Sequence, residues 1–260
     1  MHSFNKKIFV GTLFCLVLFA AQASAHFMWL NVHDYTPKTD QAAQFTVGWG
    51  HAFYNPVGDI LSGRETLDGL YLTDPMGKTI EAKPLNDFQY ESASPLAQGT
   101  YLAVVKRKEG FSTKTVDGYK HQSKKGLKNV ISSKYLGMYG KAVINVGEPV
   151  NTQAAMQSLD LPFEIIPLAD PSTLKAGGYF RFKLLYQGKP IAADIKATYA
   201  GFSYGGAWAY STRTDKQGIG EVKILESGIW VLYANHKAPY PNPKEADEYS
   251  YTTSLTFEVR

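Results

Sequence analysis

Residues 179–186 read Tyr-Phe-Arg-Phe-Lys-Leu-Leu-Tyr. Phe180, Phe182 and Leu184 fall on one side of an extended chain, and Arg181 and Lys183 on the other. A period of two is the mark of a strand with one buried face. Gln187-Gly188-Lys189-Pro190 then stops it, as Gly and Pro stop a strand. Working outward, further strand-like runs lie at 163–167, 194–199, 207–213, 220–225, 228–235 and 250–259. Seven short strands in about 100 residues have the rhythm of an immunoglobulin-like sandwich.

The same rhythm continues upstream. Runs at 26–33, 44–49, 67–73, 79–83, 88–92, 99–106 and 141–146 are separated by turn residues such as Asp74-Pro75-Met76-Gly77. The segment 125–136 is expected to hold a short helix. Residues 148–161 are polar and irregular and end on Pro162, so a linker is expected there. The expected organisation is an all-β chain of two β-sandwich-like domains. It comprises a signal peptide (1–25), an N-terminal β-rich domain (26–147), a linker (148–162) and the C-terminal sandwich (163–260).

The leader reads clearly. Lys6 and Lys7 precede an apolar run over 8–21, and Ala23 and Ala25 form an Ala-x-Ala cleavage motif. At about 14 residues the run is short of the roughly 20 a spanning helix needs. The expectation is export to the periplasm with no retained anchor. Cys15 is the only cysteine and lies in the leader, so the mature chain has neither disulfides nor thiolate ligands. Removing Lys6 and Lys7 lowers the formal net charge from +4 to +2. That weak balance, and scattered lysines at 120–128 in a Ser- and Gly-containing loop, give no reason to expect nucleic acid as a partner.

Cleavage after Ala25 makes His26 the first residue, which then offers an α-amine and an imidazole to one metal ion. The other mature histidines are His33, His51, His121 and His236. His33 is an odd number of residues from His26, so a regular strand turns the two to opposite faces. His121 lies in the lysine-containing loop. His51 follows Gly48-Trp49-Gly50 at the end of a strand, and His236 follows the 228–235 run beside a proline-rich segment. The expected metal ligands are therefore His26, His51 and His236, for Ni, Co or Cu. Gly201-Phe202-Ser203-Tyr204-Gly205 matches a nucleophile-elbow pattern, but it sits between strands without the helix that motif requires, so it reads as a loop.

Three segments carry a family resemblance: Ala-His-Phe-Met-Trp-Leu at 25–30, Gly50-His51-Ala52-Phe53, and Trp230–His236 with Tyr251–Phe257. They resemble domain-of-unknown-function family 4198, associated with periplasmic nickel or cobalt uptake (NikM-like). The resemblance implies an exported β-rich protein with a C-terminal immunoglobulin- or transthyretin-like domain, one that binds a divalent transition metal and works beside a membrane metal transporter. Members often have an acidic residue after the first histidine, where this chain has Phe27. Two other readings stay open. One is a copper-dependent polysaccharide oxygenase with an N-terminal histidine brace. The other is a non-catalytic structural or adhesion sandwich, in which the three histidines lie more than about 10 Å apart, too far to share one ion.

Overall fold

The computed structural model describes residues 26–54, 64–148, 150 and 152–260; the expected leader lies outside the described residues. The first half contains β1 (Phe27–Val32), β2 (Gln44–Gly50), β3 (Leu67–Thr73), β4 (Thr79–Pro84), β5 (Gln89–Ser92), β6 (Gly99–Arg107), β7 (Gly110–Thr115), β8 (Gly118–Lys120) and β9 (Val130–Val146). The second contains β10 (Phe163–Pro167), β11 (Tyr179–Tyr186), β12 (Lys189–Pro190), β13 (Asp194–Tyr199), β14 (Tyr210–Arg213), β15 (Ile219–Lys223), β16 (Gly228–Pro239) and β17 (Glu248–Val259). The chain is all-β, as its turn spacing predicts. Among the described residues no helix is long and apolar enough to cross a membrane.

In the C-terminal half, β10, β11 and β15 form one antiparallel layer, and β17, β16, β13 and β14 the other. Apart from the two-residue β12, which pairs with the end of β11, three strands face four with sequential strands switching layers, an immunoglobulin-type arrangement. The period-two stretch that begins the reading is β11. Its Phe180, Phe182 and Leu184 are fully buried between the layers with Trp230 and Phe257.

The four-strand layer does not end at β17. That strand pairs in parallel with β9, from Glu248↔Lys134 to Thr256↔Ala142, and β9 carries on to β6, β3, β4, β5, β2 and β1. The sheet then curls back, so that β1 lies across β9 and β17. The Ser254 hydroxyl donates to the Met28 carbonyl (2.7 Å), and the Thr256 hydroxyl donates to that of Leu30 (2.8 Å). This explains why β17 alternates Tyr251, Leu255 and Phe257 with Thr252, Ser254 and Thr256. One face packs against the C-terminal core, and the other bonds to β1's main chain.

Strands buried on both faces divide their residues by parity. Leu102, Val104, Tyr139 and Val143 join the C-terminal core. Tyr101, Ala103, Val105, Met138, Ala142 and Ile144 join a second core with Met28, Leu30, Val32, Phe45 and Val47. The segment between β9 and β10 contains a 3-10 turn, Thr152–Met156, and buries Ala155 and Leu161 in the C-terminal core.

The short helix expected at 125–136 is corrected to a turn followed by strand. Gly126 (φ 79°) and Asn129 (φ 54°) adopt left-handed backbone, which ends any helix. The β-branched pair Val130-Ile131 then starts β9, whose first half pairs with β7.

Candidate metal site

Strand parity places the site. Met28, Leu30 and Val32 of β1 point into the second core, and His26 lies two residues before Met28 on that face. Phe45 and Val47 of β2 point the same way, followed by Trp49 and then His51. The β1–β2 register runs from Val32↔Phe45 to Phe27↔Gly50, so one more step sets His26 opposite His51. Their rings face each other with centroids 4.1 Å apart, tilted by 41°. Both residues are half-buried. Trp49 stacks on His26, with centroids at 5.5 Å and planes 15° apart.

Local sequence makes this possible. A Cβ on Gly48 would lie 2.1 Å from the Trp29 indole, so only glycine lets that ring cross β2. Beyond His51, Phe53 is buried edge-on to Trp29 at 5.8 Å and anchors the loop. It joins a small third core with Phe27, Trp29 and Val231, against which Trp208 and Tyr233 pack. Burial in this core raises the Tyr233 pKa to about 12.

The 201–207 loop closes the far side. It is a loop, as read from the sequence: the Ser203 hydroxyl accepts from the main-chain N–H groups of Gly205 and Ala207. Gly206 has φ 80°, and a Cβ there would lie 2.7 Å from the His51 carbonyl oxygen. Gly206→Ala is therefore expected to lower stability by about 1–3 kcal/mol through backbone strain and to weaken any ligand held by His51. Gly201→Ala has φ 86° but open space around its Cβ, so it should strain the backbone and leave ligand affinity unchanged. Thermal unfolding and metal titration of the two variants separate these effects.

A further side chain, Arg107, lies at this end of the core. Arg107 continues the inward face of Tyr101, Ala103 and Val105, and its guanidinium lies 4.9 Å from the centre of a Trp49 ring. An Arg107 Nη also donates to the Met138 sulfur at 3.9 Å. Burial lowers the Arg107 pKa. Neither Trp49 nor Arg107 stands out as a site residue in the sequence. The odd-numbered inward pattern of β6, carried one step past Val105, is the signal that points to Arg107.

His236 does not join this pair. The expected strand end at 235 is corrected: β16 continues to Pro239, with His236 paired to Tyr251. Paired residues share a face, and Tyr251 faces the C-terminal core, whereas β1 lies on the opposite face of β17. The His236 ring packs 4.5 Å from Tyr186 and 6.0 Å from Phe163, and its burial lowers its pKa. The set His26, His51 and His236 is thus split by the central sheet. Among the described residues no three His, Cys, Asp or Glu side chains converge on one point. His33 lies at the other end of β1, with its Nε2 2.8 Å from the Thr46 hydroxyl, and His121 is exposed. The acids that follow His236 are engaged elsewhere: Asp247 bonds to Lys124, and Glu248 lies 3.3 Å from Lys134 and 3.4 Å from Lys237.

No functionally curated protein sequence matches this chain. Among solved structures it is similar to Clostridium thermocellum CbhA fibronectin(III)-like modules, at 8% identity, covering 89% of this chain and 94% of that one, with a TM-score of 0.23. It is also similar to the D0-D1 domain of Intimin, at 10% identity, 90% and 100% coverage and a TM-score of 0.22. The family model described as domain of unknown function (DUF4198) matches residues 23–238. The chain belongs to the DUF4198 family.

Proposed function

We propose that this is an exported periplasmic protein that binds one divalent transition metal at its mature N-terminus and assists that metal's uptake or handling. The ligands are the α-amine and imidazole of His26 and the imidazole of His51. The observation that carries this reading is the 4.1 Å approach of the two rings at the end of a packed core. The donor chemistry fits. Among the described residues the donors are three nitrogens, a set that suits Cu, Ni and Co, and Cu(II) should bind most tightly of the three. His51 is fixed by Phe53, and His26 by the β1–β2 pairing, so the ligands are held before the ion arrives. A membrane metal transporter is the partner this role calls for.

Calorimetric titration of correctly processed protein with Cu(II), Ni(II) and Co(II) tests the assignment. One equivalent of Cu(II) should bind, with His26→Ala and His51→Ala each weakening it by ~100-fold. That figure takes roughly 3–4 kcal/mol per ligand, a quarter of what a four-ligand site supplies. His236→Ala should bind as the unmodified protein does. Equal binding by all four proteins would sink the reading and leave the non-catalytic sandwich. The copper-oxygenase reading uses the same two histidines but needs them on an open, flat face. Half-buried rings, with the Gly206 segment against His51, favour binding over attack on a polymer.

A further inference from the structure

The hairpin of β7 and β8, with the start of β9 beside it, is partitioned inside out. Its hydroxyl side chains are buried: Thr113 and Ser133 are 0% exposed and Thr115 is 4% exposed. Its apolar side chains face water: Val116, Tyr119 and Ile131 are 64%, 66% and 58% exposed. All three lie at one end. Val116 opens the turn, and its N–H donates to the Asn129 carbonyl at 3.2 Å. Tyr119 follows Gly118, which pairs with Thr115. Ile131 is the extra residue where the β7–β9 register shifts between Lys114 and Thr115. Polar contacts hold the frame that presents them. The Thr113 hydroxyl lies 2.7 Å from that of Ser133 and donates to the Gln122 carbonyl at 2.7 Å. The Thr115 hydroxyl donates to the Gly118 carbonyl at 3.0 Å. Asp247 bonds to Lys124 and accepts from the Ser133 N–H, which ties the 121–128 segment to the same frame.

Charge says what such a surface fits. From Lys114 to Ile131 the chain has five lysines and one acid, Asp117. Lys124 is engaged by Asp247. Lys114, Lys120, Lys125 and Lys128 are exposed, and among the described residues none of them pairs with a carboxylate. Lys114 pairs with Tyr119 across the hairpin, so a lysine and an aromatic ring share one face. A cluster of exposed apolar side chains marks an interaction surface. Apolar tips among lysines match an anionic bilayer, in which rings and aliphatic groups enter the acyl boundary and ammonium groups meet the headgroup phosphates. A nucleic-acid backbone would use the lysines and leave Val116 and Ile131 in water. We propose that this end of the β7–β8 hairpin docks on an anionic phospholipid surface, with Val116, Tyr119 and Ile131 entering the interface. It is a peripheral contact, and it stands whether or not His26 and His51 hold a metal.

The test is co-sedimentation of the processed protein with vesicles, phosphatidylglycerol and phosphatidylcholine in equal parts against phosphatidylcholine alone. The protein should sediment with the first and not with the second, and added salt should weaken the binding. Replacing Lys114, Lys120 and Lys128 together by Gln should weaken it about 100-fold, at the usual worth of a lysine near an anionic surface. Replacing Val116, Tyr119 and Ile131 together by Ser should weaken it at least ~10-fold and leave the salt dependence in place. Entry into the interface is read separately. The only cysteine, Cys15, lies in the expected leader, so Tyr119→Cys gives the processed protein one site for an environment-sensitive dye. Its emission should shift to the blue with the anionic vesicles, whereas a dye at Tyr179→Cys, exposed on β11, should not respond. No binding to anionic vesicles, or equal binding by the parent and both triple variants, overturns the proposal. Binding that needs the lysines but leaves the dye at 119 unshifted overturns it in favour of a bare charge contact. A dimer that the serine variant abolishes, without vesicle binding, assigns the patch to a second copy of the chain and overturns it too. Circular dichroism checks the fold of each variant, and the dye readout keeps all the lysines if their triple variant does not fold.

Discussion

A mature protein whose first residue is joined to a folded fusion partner should bind Cu(II) ~100-fold more weakly than the same protein released so that His26 comes first. Joining His26 to a preceding residue converts its amine to an amide. The amide nitrogen carries no available lone pair, so one of three nitrogens is lost while both imidazoles stay. If each ligand contributes roughly 3–4 kcal/mol, as in four-ligand structural sites, the loss is about two to three orders of magnitude. The rings themselves should not move, because the β1–β2 register and Trp49 hold them whether or not the amine is free. Proteolytic release in the same tube then restores the affinity, which excludes misfolding as the cause. The pH dependence has a definite sign. An unperturbed α-amine has a pKa of about 7.7–8.0, so the metal must displace its proton below that range, and affinity should fall as pH drops from about 8. Equal affinity before and after release would mean that export processing has no part in making the site.

Much of the fold is legible because burial imposes periods that sequence displays. The runs at 67–73, 179–186 and 194–199 coincide with β3, β11 and β13. The failures have physical causes. The hairpin of β7 and β8 turns at Val116-Asp117, between the paired Thr115 and Gly118, but its strands are short and largely polar, β8 is exposed, and they carry no hydrophobic alternation. The first half of β9 is read as helix because Lys, Asn and Ser hide a strand whose pairing partners, β7 and, from Lys134 onward, β17, are distant in the pattern. The parallel pairing of β9 with β17 joins residues more than 100 positions apart, and no local pattern announces it.

The site divides along the same line. Parity alone sets His26 with Met28 and Leu30, and His33 away from it. It cannot set His26 opposite His51, because that depends on the register fixed between β1 and β2. His236 shows the limit from the other side. Its run continues to Pro239 because the hydrogen-bonded partner β17 extends equally far, and this carries the histidine into an aromatic environment. In the sequence Arg107 is simply the last residue of an apolar strand. Its meaning appears only when the start of β1 and the ends of β2 and β6 meet with their inward faces aligned.

Breaking the pair of Lys141 and Glu164 should cost about 3–5 kcal/mol in either single variant. Lys141 lies on β9 between Tyr139 and Val143, pointing into the C-terminal core, and Glu164 lies on β10 in the facing layer. Their side chains are 2% and 1% exposed, with Nζ 2.7 Å from Oε1. Glu164 also accepts from the Ser158 hydroxyl at 2.8 Å and from the Leu159 N–H at 3.0 Å. One carboxylate therefore fixes the central sheet, the smaller sheet and the segment that joins the two halves. Burial lowers the Lys141 pKa, and Glu164 offsets only part of that pull, so the ammonium is costly to keep without its partner. Lys141→Met leaves a buried carboxylate with neutral donors alone. Glu164→Gln keeps the Leu159 contact and strands the ammonium. For a chain of this size each kcal/mol is about 2–4 °C in Tm, so each variant should melt roughly 6–20 °C lower. The double variant Lys141→Met with Glu164→Gln should recover at least half of the loss, because it removes both charges and preserves the acceptor for Leu159. If both single variants melt within about 2 °C of the parent, the pair is not what joins the halves, and the burden falls on β9–β17 pairing alone.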